Sequence, residues 1–449
     1  MNQIFSSLQR SGFYTYLILA AFSLPLFVIS CGTPDQTEKE SEDKPHVMLE
    51  QFCLEDPPLI GTFNGLEFFE GGISGMYYIP GTEYEFLLIN DRGPNVDISD
   101  HPNAEGQNVK LFPFPDYAPK IMHGRLRDGK FEVLEIREIR NPDGEPITGL
   151  PVAGLDGEFP ELAWRDLDGT PAGYDEFGID AEAITIDLDG NYWITDEYRT
   201  SIWKLDSETL NTLEIFSPFG DNPVIRPIDK VFANRRPNRG FESIASTPDG
   251  KIYSMPQSPL WNPNRDKADE SRIVRVLQLD PETGETQTYL FEMEAARGDI
   301  RQRDWKIGDM AAINNTQFLV IEHATRGDDQ GLQINLFDIS NATPLTEEQL
   351  NGKTPEQLLN AESLAKHGIE VAEKKHLFEL ADLGYPKDQY KPEGLTIISS
   401  TKLALINDND YSIDIDYEND EIIDTRVPTC LYIITLPEGE ALDFVELER

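Results

Sequence analysis

The sequence predicts an all-β chain folded as a β-propeller of six or seven blades with one helical insertion. Two observations favour this class: a pair of strands with acidic residues recurs along the chain, and Asp-Gly turns join short runs of β-branched and aromatic residues. Repetition of one hairpin unit through most of a chain is typical of a radial or stacked array of one supersecondary element. An ordinary β-sandwich with acidic loops is the alternative.

The repeat begins with an acidic residue before an apolar strand and continues through a turn and a second strand to another acidic cluster. About five copies are recognisable, over residues 180–198, 241–258, 308–323, 392–410 and, in a degenerate form, 72–93. Their spacing varies from roughly 60 to 110 residues, which a propeller accommodates because insertions lengthen the loops without disturbing the blades.

Turn chemistry marks the strands of each copy. Asp189-Gly190 and Asp249-Gly250 each lie between two short runs of β-branched and aromatic residues, which is a strong hairpin signal. Third strands are predicted over residues 201–205 and 273–277. These runs predict successive antiparallel strands.

The segment from Thr343 to Leu383 departs from the strand pattern and predicts the helical insertion. Thr354 is placed as an N-cap, Pro355 as the first helical residue, and Gln357 completes a capping box. Such an insertion forms either a lid over one face of the propeller or a surface decoration.

The first thirty residues are predicted to be a lipoprotein signal peptide and not part of the fold. An apolar run over residues 14–29 ends in Ser30-Cys31-Gly32, and this ending resembles the lipobox of bacterial lipoproteins. Cys31 would carry the lipid, and two or more acyl chains would anchor the protein to a membrane. A membrane-spanning helix is the alternative, although the run is short and contains Pro25.

Residues 31–50 are polar and acidic, which predicts a disordered tether, and residues 51–449 are predicted to form a single propeller domain. The expected location is the periplasmic or outer-surface face of the cell envelope. Cys53 and Cys430 lie near the two ends of this domain, where a propeller commonly closes. In an oxidising compartment two such cysteines form a disulfide; two buried free thiols are the alternative.

The chain has 81 acidic and 38 basic residues and a formal net charge of −43. This balance argues against charge-driven binding of nucleic acid or of an anionic membrane surface. The excess of acidic residues favours the binding of divalent cations.

Equivalent positions of successive blades converge near the axis of a propeller, so the repeated carboxylates are expected to ring one end of the channel. The predicted metal ligands are Glu182, Asp196, Glu242, Asp309, Glu322, Glu393 and Asp408, with Asp91 nearby. Two carboxylates about 5 Å apart repel by roughly 3 kcal/mol at an effective dielectric near 20, so protons, a cation or basic side chains must offset part of this charge. Oxygen ligands are typical of hard cations, and Ca²⁺ is the predicted cofactor; a metal-free network is the alternative.

Basic residues accompany these carboxylates. Arg92, Arg199, Arg239 and Lys391 are predicted to bind an anionic group, since guanidinium forks match phosphate and carboxylate. Glu182, Glu242 and His323 are the candidate catalytic residues, with His323 as a general base or acid. The alternative role of each arginine or lysine is an ion pair with its neighbouring carboxylate. The alternative role of His323 is a structural hydrogen bond.

Several of these runs occur together in one known family. The segments 180–184, 193–198, 238–242, 257–259, 392–395 and 407–410, with 90–93 and 147–151, closely resemble the bacterial phytase-like domain family, which is described as having esterase-like activity. The resemblance extends from about Gly61 to Leu436. It implies a propeller hydrolase that acts on phosphoesters or simple esters, with calcium as in the better-known propeller phytases.

The leading functional hypothesis is therefore a lipid-anchored, extracytoplasmic hydrolase with a metal-assisted site at the channel mouth. It would be a monomer that takes a small anionic substrate. A non-catalytic propeller that binds a ligand or partner in the cell envelope is the second hypothesis. A calcium-dependent lactonase is the third, and it would need a more apolar pocket.

Overall fold

The computed structural model describes residues 46–155, 160–220, 222–389 and 391–447. The predicted signal peptide, Cys31 and most of the predicted tether lie outside these residues. The first strand begins at Met48, so the last residues of the predicted tether already belong to the folded body. No helix in these four ranges is long and apolar enough to cross a membrane.

Short strands dominate the described residues. The strands up to residue 164 are β1 (Met48–Cys53), β2 (Leu59–Phe63), β3 (Leu66–Phe69), β4 (Ile73–Tyr78), β5 (Glu85–Asn90), β6 (Val96–Asp97), β7 (Val109–Leu111), β8 (Lys120–Arg127), β9 (Lys130–Glu138) and β10 (Leu162–Trp164). The middle of the chain forms β11 (Ala181–Ile186), β12 (Tyr192–Asp196), β13 (Ser201–Leu205), β14 (Thr212–Ser217), β15 (Ile225–Pro227), β16 (Phe241–Ser246), β17 (Ile252–Pro256), β18 (Ile273–Leu279) and β19 (Thr286–Glu292). The remaining strands are β20 (Lys306–Ala312), β21 (Gln317–Arg326), β22 (Asp329–Asp338), β23 (Glu373–Glu379), β24 (Lys391–Ser399), β25 (Lys402–Asp408), β26 (Ile413–Asp416), β27 (Glu421–Asp424) and β28 (Cys430–Thr435).

These strands form a propeller of five blades within the described residues. In blade order the sheets are β4-β5-β8-β9, β11-β12-β13-β14-β15, β16-β17-β18-β19, β20-β21-β22-β23 and β24-β25-β28-β1. The first strands of the blades, β4, β11, β16, β20 and β24, contact one another in a closed ring around the channel. The propeller class is confirmed, whereas the number of blades is five and not the predicted six or seven.

The ring closes through the two ends of the domain. Strand β1 pairs antiparallel with β28, so the start of the domain supplies the outermost strand of the fifth blade. Cys53 and Cys430 are opposite each other in this pairing and are joined by a disulfide.

Apolar side chains fill all five interfaces between blades. Leu87 and Ile184 belong to the cluster between blades 1 and 2, and corresponding clusters lie between each further pair of neighbours, including the pair formed by blades 5 and 1. A Cβ at Gly75 would lie 2.6 Å from the Cα of Ala183, so glycine is required where the inner strands of blades 1 and 2 approach each other.

Three small sheets, β6-β7-β10, β2-β3 and β26-β27, lie outside the blades and share one apolar cluster, which includes Phe68, Val109 and Ile413. We call these three sheets the cap. The cap accounts for part of the uneven spacing of the repeat, because β6, β7 and β10 lie between the first two copies, at residues 72–93 and 180–198.

The predicted helical insertion is shorter than expected. It contains a 3₁₀ turn (Glu347–Leu350) and the helices α2 (Pro355–Leu358) and α3 (Ala361–Ala365), and the capping box of Thr354 is present; α1 (Arg265–Glu270) lies in blade 3. Residues 373–379 form β23 instead of helix, because they complete blade 4. The insertion packs on the outer strands of blade 3, where Glu356 and Arg275 form a buried ion pair 2.8 Å long. It is therefore not a lid over the channel.

Candidate functional site

The inner strands build the channel in tiers of side chains. Counted from the mouth inward, the first tier holds Gly72, Asp180, Gly240, Lys306 and Lys391, the second holds Ser74, Glu182, Glu242, Gly308 and Glu393, and the third holds Met76, Ile184, Ile244, Met310 and Leu395. Each tier is two residues from the next, which is the side-chain period of a strand. The first two tiers line a polar cavity of about 340 Å³, and the third lines an apolar pocket at the other end of the channel.

Three glutamates of the second tier meet at the floor of the polar cavity. Carboxylate oxygens of Glu182, Glu242 and Glu393 all lie within 4.8 Å of one another, and all three side chains are buried. We call them the glutamate triad. The sequence predicts that these three residues, which come from distant parts of the chain, lie close together, and in the structure they do.

In every blade the pairing between the first two strands is interrupted close to the second-tier residue. The register between the first and second strands shifts at residues 73/75, 181/184, 241/243, 307/310 and 392/394. β-Bulges redirect side chains and are common next to active sites. The bulges therefore help to aim the second-tier side chains into the cavity.

Asp309 does not join the glutamate triad. It lies one residue beyond the second-tier position, which Gly308 occupies, and a one-residue offset in a strand moves a side chain to the opposite face. Its carboxylate accepts backbone N–H groups of Met310 (2.8 Å), Leu395 (3.2 Å) and Ile244 (3.4 Å). Asp309 thus links the inner strands of blades 3, 4 and 5.

Asp309→Ala is expected to lower the free energy of unfolding by roughly 3 kcal/mol or more, because three buried N–H groups lose their acceptor. Urea denaturation measures this change, and the exposed Asp116→Ala is the matched control. Titration with calcium is expected to give the same result for the folded Asp309→Ala protein as for wild type, because Asp309 does not line the polar cavity. A large loss of calcium affinity without a loss of stability would instead indicate that Asp309 is a calcium ligand.

A second carboxylate group lies beside the triad and shares Glu182 with it. Oxygens of Asp91, Asp180 and Glu182 lie within 4.8 Å of one another. Arg92 offsets much of this charge, with ion pairs to Glu161 (2.9 Å) and Asp180 (3.2 Å). It also donates hydrogen bonds to Tyr198 and Asn238, so its guanidinium is held by several partners.

Lys391 and Asp408, both from blade 5, meet at the edge of the cavity. The Nζ of Lys391 is 2.7 Å from Asp408, 3.1 Å from Asp410 and 3.6 Å from Glu393. Lys391 thus connects the glutamate triad to the acidic cluster after β25.

The other predicted site residues do not line the cavity. Asp196 accepts backbone N–H groups of Asp180, Tyr198 and Arg199, and Glu322 accepts from Asn335 and Lys374. Arg199 donates to the carbonyls of Glu176 and Gly178, and Arg239 donates to the carbonyls of Arg303 and Trp305. His323 is buried opposite Lys306, and burial lowers its pKa well below the usual value.

Two cavity residues with distinctive environments, Glu197 and Lys306, are not among the predicted site residues. Glu197 is buried in the second blade, and its Oε1 has no hydrogen-bond partner among the described residues. Lys306 occupies the first tier in blade 4, the position that Lys391 occupies in blade 5. Alignment of the copies on Gly308 instead of Asp309 would have revealed Lys306.

Burial changes the protonation of these acids. It raises the pKa of Glu242, Glu393 and Glu197 to about 8 and that of Asp180 and Asp408 to about 7, and neighbouring carboxylates add to each shift. Without a cation, several of these groups are therefore protonated near neutral pH.

The chemistry of the cavity floor fits a hard divalent cation. The donor set consists of oxygens, and Glu242 Oε2 is a buried acceptor without a hydrogen-bond partner in the described part of the chain. Its other oxygen accepts from the side chain of Gln257 at 2.7 Å. A buried unsatisfied acceptor is costly, and a cation at the triad would satisfy it.

The sequence of the chain matches the model of the phytase-like family, described as esterase-like activity of phytase, over residues 70–411. The chain belongs to the phytase-like family. The matched region begins just before the first blade and ends in the acidic cluster after β25, so it contains all the cavity residues of the inner strands. Family and fold together are those of a hydrolase-type propeller.

Other similarities are more distant. An uncharacterized secreted protein from Arthroderma benhamiae is 27% identical over 193 residues, which are 36% of this chain and only 37% of that relative. Among solved structures, a gluconolactonase from Xanthomonas campestris has 11% identity and a TM-score of 0.32, with 86% of this chain and 97% of that chain covered. Virginiamycin B lyase from Staphylococcus aureus has 10% identity and a TM-score of 0.29, with 87% and 100% covered.

Proposed function

We propose that this phytase-like protein is an extracytoplasmic, lipid-anchored hydrolase that cleaves phosphoesters or simple esters at the mouth of the propeller channel, with Ca²⁺ as its cofactor. The main support is Glu242 Oε2, a buried acceptor that has no hydrogen-bond partner among the described residues and belongs to a group of three carboxylates. The family description supports the hydrolytic class.

Glu182, Glu242 and Glu393 would hold the ion. A calcium ion bound there would polarise an ester oxygen and lower the pKa of a bound water. Arg92 and Lys391 hold the neighbouring carboxylates in place through their ion pairs. The cap forms one wall of the cavity with Val96, Lys110 and Ile413.

The cavity favours an ester over a lactone of apolar character. Its volume of about 340 Å³ lies within the range of small-molecule sites. Val96 and Ile413 are the two apolar side chains among its lining residues, and the rest are polar or charged. A lactonase site would be lined mainly by apolar groups.

The proposed location depends on two features. The signal-like segment that ends at Cys31 supports export and lipid attachment. The secreted relative supports a location outside the cytoplasm.

An assay of the purified protein against a phosphomonoester, a carboxyl ester and a lactone, with calcium or with chelator, tests the proposal. We expect turnover of at least one ester, lost in chelator and restored by added calcium. Absence of turnover on every substrate, together with a ligand-dependent rise in melting temperature, would favour the non-catalytic binding propeller instead.

A further inference from the structure

Four basic side chains line the cavity in the described part of the chain, and three of them are already paired. Lys110 is 3.0 Å from Asp97, while Arg92 and Lys391 form the ion pairs described above. Lys306 is the exception: it has no carboxylate within 4.0 Å and no side-chain hydrogen bond to any described residue.

The surroundings of Lys306 offset its charge only from a distance, through Glu242 and Glu393. Its neighbours include Lys391 and Arg239, which together with burial lower its pKa. His323 is opposite it in the adjacent strand and is neutral, because its own pKa is well below the usual value. Glu242, Glu393 and Glu197 favour the charged form of Lys306, but none of them forms an ion pair with it in the described part of the chain.

A lysine ammonium of this kind is suited to an anion. It is half-buried, lines the cavity that contains the glutamate triad, and donates no side-chain hydrogen bond to a described residue. An anionic group of a ligand would provide hydrogen-bond acceptors and a directly contacting opposite charge, and charge-assisted hydrogen bonds are stronger than neutral ones.

We propose that Lys306 is the specificity-determining residue of the cavity, which binds the anionic group of the substrate and makes the enzyme selective for a phosphate monoester over a neutral carboxyl ester. This inference rests on the proposed hydrolytic function, because it assigns the substrate charge at the same site. Arg92 and Lys391 do not have this role, since their charges are already balanced by carboxylates.

Kinetics of Lys306→Gln with two esters of the same leaving group test this assignment. With para-nitrophenyl phosphate we expect kcat/KM to fall roughly 10- to 100-fold, mainly through KM. With para-nitrophenyl acetate we expect no change beyond about twofold. Lys306→Arg keeps the charge and should retain most of the activity on the phosphate. Lys251→Gln, on the surface of blade 3, is the matched control.

Binding of inorganic phosphate, measured by calorimetry on the full protein with calcium and with chelator, gives a readout independent of turnover. We expect at least about tenfold weaker binding to Lys306→Gln than to wild type. Melting temperatures verify folding, and Lys306→Met is a second uncharged variant if Lys306→Gln does not fold.

The outcomes separate the two proposals. If the wild type cleaves the phosphate ester and the uncharged variants cleave it equally well, the role of Lys306 is wrong and the hydrolase stands. Equal losses on the phosphate and acetate esters would also overturn its role in specificity. If the wild type cleaves neither ester but phosphate binding depends on Lys306, the anion site stands and the hydrolase fails.

Discussion

Glu242→Gln is expected to reduce turnover by roughly 10²- to 10³-fold while the protein remains folded. The amide has nearly the same shape as the carboxylate but cannot carry negative charge. Glu242 is one of the three triad acids, and its Oε2 has no hydrogen-bond partner in the described part of the chain. The substitution therefore removes a charged cation ligand without leaving a cavity.

The fold should tolerate this change. Gln257 donates to Glu242 Oε1 at 2.7 Å, and the amide oxygen of glutamine can accept the same hydrogen bond. The measurements are steady-state kinetics and calcium binding by calorimetry, with melting temperature as the test of folding. Glu132→Gln, at a surface ion pair with Arg125, is the matched control and should behave as wild type. Turnover within a fewfold of wild type would contradict a role for the triad in the reaction.

In chelator, the protein is expected to lose stability as the pH rises from 6.5 to 8. In the folded state Glu197, Glu242 and Glu393 have pKa values of about 8, against ordinary values of 4.5. Between these two values the folded chain holds protons that the unfolded chain has released, so unfolding becomes more favourable as the pH increases. The stabilising contribution of these protonated acids is fully present below about pH 4.5 and is lost by about pH 8.

One pKa unit corresponds to about 1.4 kcal/mol. The rise from pH 6.5 to 8 therefore lowers the free energy of unfolding by about 2 kcal/mol for a single such group, and by more for the cluster. The window above pH 6.5 avoids His323, whose depressed pKa stabilises the folded state with rising pH only below its usual value of 6.5. Urea denaturation at each pH measures the change.

Calcium should reduce the loss, because a cation favours the ionised carboxylates. Glu242→Gln should also give a shallower dependence on pH in chelator, since it removes one of the groups. Stability that is constant or that rises between pH 6.5 and 8 would show that these acids are not held protonated in the folded protein.

The sequence predicted the elements that depend on local signals. The Asp-Gly turns, the strand over residues 201–205 and the capping box of Thr354 depend on neighbouring residues, and the structure contains each of them. The extension of the insertion to Leu383 was wrong, because residues 373–379 are strand only through pairing with β22. No local sequence pattern indicates that residues 373–379 pair with β22.

The number of blades was wrong for a related reason. Five copies of the repeat became five blades, but chain segments before, between and after the copies form the cap and not additional blades. Whether a short strand joins a blade or a cap depends on which partner it meets across a long sequence separation.

The composition and repeat of this chain were sufficient to predict a propeller, a ring of acidic residues that included Glu182, Glu242 and Glu393, and a disulfide as one of two alternatives for Cys53 and Cys430. The tertiary structure decided which repeated residues face the channel. A bulge in each inner strand and a one-residue offset place Gly308 at the second tier and turn Asp309 away, while Lys306 faces the cavity without an ion pair to any described residue. The direction of a strand side chain alternates with every residue, so its final position is set by register and strand pairing, which form only when the blades assemble.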